Sequence, residues 1–327
     1  MAPRTKTQSA MPRLIHAVLL AALGLALPAA AQAPWPARPL RMIATEAPGS
    51  VPDLAARVIS DGLSRALGQP VRVENRPGDD GVQAAAGAAP NGYTLLLAPS
   101  SVLTIFPTTT DLVPYSPEDD FAGVAMVGSE TFVVVANPEL NVKSLPDLMS
   151  LAREAPGRLA YANPGLRTLP GILGETIRQR TAMELMIVPD RGASVADTIA
   201  GRTHFSVEPV FAIATAVQRR QLRALAVSSP KRLPELKDVA TLAESFPGLE
   251  FSAWYAVVAP AGTPEAIIQR LNRETGRLLA DPEVEQRLNL LGIYPEGASA
   301  PAQLDAFFVS ERTVWRKRAR EMKMEPD

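Results

Sequence analysis

The chain has 327 residues, 46% hydrophobic and 20% charged, with a formal net charge of −1. That balance supplies core enough for two ordinary domains and excludes the dense basic face a nucleic-acid partner needs. Cysteine is absent and the histidines are only His16 and His204, so disulfides, thiolate chemistry and cysteine-based metal sites are excluded.

In chain order, the first predicted element is an export signal over residues 1–31. Arg4, Lys6 and Arg13 precede the apolar run Leu14 to Leu27, and Ala29, Ala30 and Ala31 supply the small residues for cleavage after Ala31. The run is shorter than the roughly 20 residues a bilayer span needs. Leu40–Ala44 then reads as a strand, Leu54–Leu67 as a helix stopped by Gly68, and Val71–Val73 as a second strand. Thr94–Ala98 has the continuous apolar character of a strand buried on both faces. The alternation continues with a strand over Phe132–Ala136, a helix capped by Ser144 and running to Glu154, a strand over Leu159–Ala162 and a helix over Thr168–Arg180. Leu185–Val188 is predicted as a strand, Ser194–Ala200 as a helix, and Leu222–Val227 and Trp254–Val258 as later strands. Pro264–Leu279 is predicted as a helix with Thr263 as its N-cap, followed by helices over Pro282–Leu291 and from Pro301 to about Met322. Strands alternating with helices predict a doubly wound α/β fold, with a purely helical last quarter that packs back on an earlier sheet.

Specific strings carry a resemblance. They are Trp35-Pro36-Ala37-Arg38-Pro39-Leu40, Pro48-Gly49-Ser50-Val51-Pro52-Asp53, Glu74-Asn75-Arg76-Pro77-Gly78 and Asn91-Gly92-Tyr93-Thr94-Leu95. Arg223-Ala224-Leu225-Ala226-Val227 and Ala259-Pro260-Ala261-Gly262-Thr263-Pro264 complete them. In this order they resemble the extracytoplasmic solute receptors of the tripartite tricarboxylate transporter family, the Bug proteins, over essentially the whole mature chain. The resemblance implies an α/β fold like the type II periplasmic binding proteins, two doubly wound lobes joined by two hinge strands with a ligand cleft between them. It places lobe 1 at 34–130 and 253–327 and lobe 2 at 131–252. It also implies a periplasmic, monomeric receptor that captures a small carboxylate-containing metabolite (an organic acid, amino acid or related zwitterion). Delivery would be to a membrane permease; the alternative is signalling through the ectodomain of a membrane sensor kinase.

Loops that leave a strand and enter a helix expose unpaired N–H groups that favour an anion. The first candidate is Glu46-Ala47-Pro48-Gly49-Ser50, with Asp53 orienting it from the helix start. The second is Ser100 and Ser101. The third is Asn163, Gly165, Arg167 and Thr168, where the family has Gly-x-Gly-Ser. The fourth is Asp190, Arg191 and Gly192, where the family has Pro-Tyr-Lys-Gly from the preceding position. Glu208, after the strand-like run Thr203–Val207, is a further candidate facing the cleft. Glu46, Arg167, Asp190 and Arg191 depart from the family pattern and predict a charged pocket for a ligand with a carboxylate and a cationic or strongly donating group.

An enzyme is not expected. A Ser-His-Asp triad has only His204 to draw on, in Gly-Arg-Thr-His-Phe with no flanking acid. Ser228-Ser229-Pro230-Lys231 matches an acylating S-x-x-K string, but Pro230 bars the helix that motif opens. No P-loop string occurs, no metal site is predicted, and no cofactor is expected. Asp79-Asp80 and Glu118-Asp119-Asp120 lack the spacing of a calcium loop and read as solvated charge.

Overall fold

The computed structural model describes residues 34–109, 113–166, 168–249, 251–297 and 299–322. The expected signal segment and Arg167 lie outside the described residues. Among the described residues, no helix is long and apolar enough to cross a membrane.

The alternation read from the sequence is present. The chain forms β1 (Leu40–Ala44), α1 (Val51–Leu67), β2 (Val71–Asn75), α2 (Asp79–Ala86) and β3 (Thr94–Pro99). A π turn (Ser101–Ile105) runs into the short α3 (Phe106–Thr109). Next come β4 (Phe121–Ala136), α4 (Leu145–Glu154), β5 (Leu159–Asn163), α5 (Leu169–Thr181), β6 (Leu185–Pro189), α6 (Ser194–Ile199) and β7 (Phe205–Pro209). They are followed by α7 (Val210–Gln218), β8 (Arg223–Val227), α8 (Leu242–Ser245), β9 (Ser252–Pro260), α9 (Glu265–Leu279), α10 (Pro282–Asn289), β10 (Ile293–Tyr294) and α11 (Pro301–Glu321).

Among the described residues, eight strands form one mixed path, β2-β1-β3-β9-β4-β7-β5-β6, and β8 and β10 pair to β4 off it. β4 ties the two halves together. Its first eleven residues, Phe121–Thr131, pair antiparallel with β9, and Phe132–Ala136 pair antiparallel with β7. Each half has its own apolar core. Ile43, Leu96, Ala98, Val258 and Phe308 fill one; Val134, Leu148, Tyr161, Leu173 and Phe205 fill the other.

Three local expectations are corrected. Thr263 is not the N-cap of α9: its hydroxyl donates to the Pro260 carbonyl at 2.7 Å and closes the preceding turn, leaving Pro264 at the cap position. The last quarter is not strandless, because Ile293 and Tyr294 pair with Glu130 and Ser129 of β4. β4 starts eleven residues before the predicted strand, because Gly123, Gly128, Ser129 and Glu130 interrupt the apolar run while neighbouring strands still hold the backbone extended.

Candidate functional site

The parallel strands of each half end in loops, and the register of β4 sets where those ends lie. β3 opposes β9 and β9 opposes β4, so β3 runs in the direction of β4; β7 runs against it. Pro99, the end of β3, is level with Tyr255 and through it with Gly128. Pro209, the end of β7, is level with Phe132. The two sets of strand ends therefore point at each other across the segment Gly128–Phe132, a span of about 13 Å at the usual strand rise. Ligands of open α/β sheets bind at such carboxyl-terminal strand ends.

On the first side, the loop after β1 is built around Asp53. Its carboxylate is almost fully buried and accepts from the Gly49 N–H at 2.8 Å, the Asn75 amide at 2.9 Å and the Arg57 guanidinium at 2.9 Å. Burial alone would raise its pKa; the Arg57, Gly49 and Asn75 hydrogen bonds hold it below the usual carboxylate range instead. Ser50 caps α1 by accepting the Asp53 N–H. Asp53 thus ties Gly49, Asn75 and Arg57 together at the start of α1. Gly49 sits at φ 86° with open space where a Cβ would stand. Glu46 is exposed, yet desolvation of its carboxyl raises its pKa, partly offset by the Ser50 hydroxyl beside it. Ala47 and Pro48 are exposed on the same loop. Ser100, by contrast, is 1% exposed and its Oγ accepts from the Trp254 N–H inside the fold, while Ser101 begins the π turn.

On the second side, Asn163 and Asp190 organise adjacent loops. The Asn163 side chain accepts from the Gly165 N–H at 2.8 Å, and its carbonyl accepts from the Asp190 N–H at 2.9 Å. Asp190 accepts from the Gly192 and Ala193 N–H groups at 2.9 and 2.7 Å. Thr168 caps α5 by accepting the Gly171 N–H, and donates to the Gly165 carbonyl at 2.9 Å. Arg191 stands exposed on the turn after β6. The glycine amides of these loops are thus engaged internally. The first residues of the two helices, Val51 and Leu169, have N–H groups with no acceptor within their own helix.

Two buried acids border the opposed strand ends. Glu130, absent from the residues read from the sequence, lies in the middle of the Gly128–Phe132 segment, 5% exposed, and accepts from the Tyr255 hydroxyl at 2.8 Å. Burial pushes its pKa up to about 7, the Tyr255 hydrogen bond opposes the rise, and the charge of Glu46 adds to it. Glu208, one residue before the end of β7, is 7% exposed. Burial raises its pKa, the Ser194 and Ser206 hydroxyls temper the rise, and Asp190 adds to it. Its Oε1 has no hydrogen-bond partner. Alternation along β4 puts Ser129 and Thr131 on the opposite face from Glu130. There they line a groove of about 680 Å³ with Trp254, Phe307, Glu311 and Arg318. Among the described residues no cluster of His, Cys, Asp and Glu is arranged to hold a metal.

A family model described as the tripartite tricarboxylate transporter family receptor matches residues 55–319. BugT of Bordetella pertussis (strain Tohama I) is 35% identical over 314 residues, covering 93% of this chain and 96% of its own. A solved R. palustris protein with adipate is 28% identical at a TM-score of 0.77, over 90% of this chain and 100% of that one. MatC from Rhodopseudomonas palustris with bound malate is 26% identical at a TM-score of 0.71, over 87% and 99%.

Proposed function

The chain belongs to the tripartite tricarboxylate transporter receptor family, whose members are periplasmic solute-binding proteins and not enzymes, and from that premise we propose that it captures a small carboxylate-containing metabolite for a membrane permease. The observation that carries this reading is the opposition of two sets of strand ends across Gly128–Phe132. A gap of that size suits a metabolite of a few carbons, and the helix starts at Val51 and Leu169 bring N–H donors and helix dipoles from opposite sides. The adipate and malate held by the two R. palustris relatives are small dicarboxylates of matching size.

In this reading 34–130 together with 253–327 is one lobe and 131–252 the other. Loops 46–50 and 163–168 grip the ligand from the two lobes, with the turn 190–192 beside the second. Asp53, Asn163 and Asp190 act by holding loop backbones, and not by touching the ligand. Closure of the lobes about β4 and the stretch between β8 and β9 would present the loaded form to the permease. The export signal ending at Ala31 supports a periplasmic destination.

Native mass spectrometry of the chain purified from a periplasmic extract tests the proposal. An adduct that is released on denaturation and analyses as a small carboxylic acid is expected. No adduct, together with no thermal shift across a library of mono- and dicarboxylates and amino acids, would contradict it.

A further inference from the structure

The face of the crossing strands turned away from Glu130 carries a groove of its own. Its volume, about 680 Å³, falls within the range of small-molecule sites. The floor forms where β4 and β9 run side by side, with Ser129 opposite Trp254 and Thr131 opposite Ser252. α11 lines it with Phe307, Glu311, Val314 and Arg318, and the loop after β8 lines it with residues 229–233. Most of its polar groups are engaged. Glu311 accepts from the Trp254 Nε1 at 3.1 Å, and Glu296 accepts from the Ser129 hydroxyl. Arg232 is held by Glu244, and Arg318 lies over the rings of Phe251 and Trp315. The Ser229 hydroxyl donates to the Lys231 carbonyl at 2.7 Å.

Three groups stand apart from this pattern. Thr131 is 2% exposed and lines the groove, yet its hydroxyl makes no hydrogen bond among the described residues. The Ser252 hydroxyl, directly across from it, makes none either. Neither oxygen is sealed off from the groove. Lys231, exposed at the rim, forms no ion pair among the described residues. A hydroxyl at such depth without a partner is costly. Two of them side by side, with an ammonium that has no counter-charge, suit one charged acceptor with two oxygens. The rest of the lining is apolar. The Trp254 indole is fixed by stacking on Phe308 at 5.1 Å and by edge contact with Phe307 at 5.4 Å. Phe307 and Val314 stay partly exposed beside it.

We infer that this groove is a second binding site, separate from the gap between the strand ends, and that it takes a small monocarboxylate with an aromatic body. The carboxylate accepts from the Thr131 and Ser252 hydroxyls and from the Lys231 ammonium. The ring packs on Phe307 and Val314, where it removes apolar surface from water. The acids of the lining keep the donors they already hold, so the anion meets its counter-charge at Lys231.

The test is calorimetric titration of the full mature chain with benzoate and 3-phenylpropanoate, each beside its uncharged amide. At least one acid is expected to bind roughly tenfold or more tighter than its amide. Lys231→Gln and Val314→Asp, both at exposed positions, should each weaken that acid about fivefold or more. Thr131→Val keeps the side-chain shape, removes the hydroxyl and should do the same. Co-crystals with 4-bromobenzoate should place the bromine, located by its anomalous scattering, against Phe307. Acid and amide binding alike, or acid affinity that survives all three changes, would overturn the inference. Acid affinity that falls with Thr168→Ala instead would seat the acid between the strand ends and overturn it too. No saturable binding of either acid would do so as well. All of these results leave the carboxylate receptor standing, which native mass spectrometry tests separately.

Discussion

At the scale of single residues, the site is held by buried polar groups whose roles differ. Asp53 is a fixed anion: its three donors outweigh the cost of its burial. Asp53→Ala should cost about 2–3 kcal/mol, because the Gly49 N–H and the Asn75 amide lose their acceptor. Urea denaturation measures it, and Arg57→Ala should cost less, since that side chain is half-exposed. Glu130 behaves in the opposite way. Burial pushes its folded pKa up to about 7, above the ordinary glutamate value of 4.5, so the folded state binds a proton the unfolded state has lost. The contribution is fully present below about pH 4.5 and is lost as pH rises through 7, an effect of about 3 kcal/mol at most. The melting temperature of the unliganded protein should therefore fall between pH 5 and 8. Glu130→Gln should flatten that dependence and be the more stable protein at pH 8. A wild-type and variant pair with parallel profiles would show that Glu130 does not titrate in this window.

At the scale of elements, the loops depend on close approaches that a single methyl group would disturb. A Cβ on Gly171 would stand 2.0 Å from the Gly165 carbonyl oxygen, the acceptor for both the N–H and the hydroxyl of Thr168. A Cβ on Gly174, one turn later, would stand 1.7 Å from the Tyr161 hydroxyl in the second core. Both alanine variants should lose about 1–3 kcal/mol. Gly171→Ala should in addition weaken ligand binding severalfold, because it moves the loop itself, and titration of folded protein separates the two. Much of this architecture was legible in sequence. Ser144 to Glu154 was read as a capped helix and forms one over Leu145–Glu154, because a cap and an amphipathic pattern are local signals. Asp190, a candidate pocket charge from the sequence, also closes its own turn, a role that the string Asp190-Arg191-Gly192 carries locally. Glu130 left no such trace. An acid within β4 reads as a break in an apolar run, and its place depends on Tyr255 and Glu46, 125 residues later and 84 earlier in the sequence.

At the scale of the whole molecule, the two halves share more than β4. The terminal helix places Leu304 and Phe308 in the core of the first half and Trp315 in the core of the second, where Met322 just after it joins. Trp315 meets the Phe251 ring edge-on at 5.5 Å, beside the passage from β8 to β9. Trp315→Ala should cost about 3–5 kcal/mol and loosen the second half first, which hydrogen exchange would resolve as early opening around Phe251. The periodicity of the final helix was visible in the sequence, but its span across both halves was not, since one apolar stripe does not say which sheet it covers. If the halves close on a ligand, small-angle scattering should show a smaller radius of gyration with ligand than without. The most direct measurement is a crystal structure of the mature chain with the ligand it retains on purification. Density for a small acid is expected over Gly128–Phe132, between the loop at Gly49–Ser50 and the start of the helix at Leu169. A ligand seated in the groove lined by Trp254 and Phe307, with the space between the strand ends filled by side chains, would contradict it.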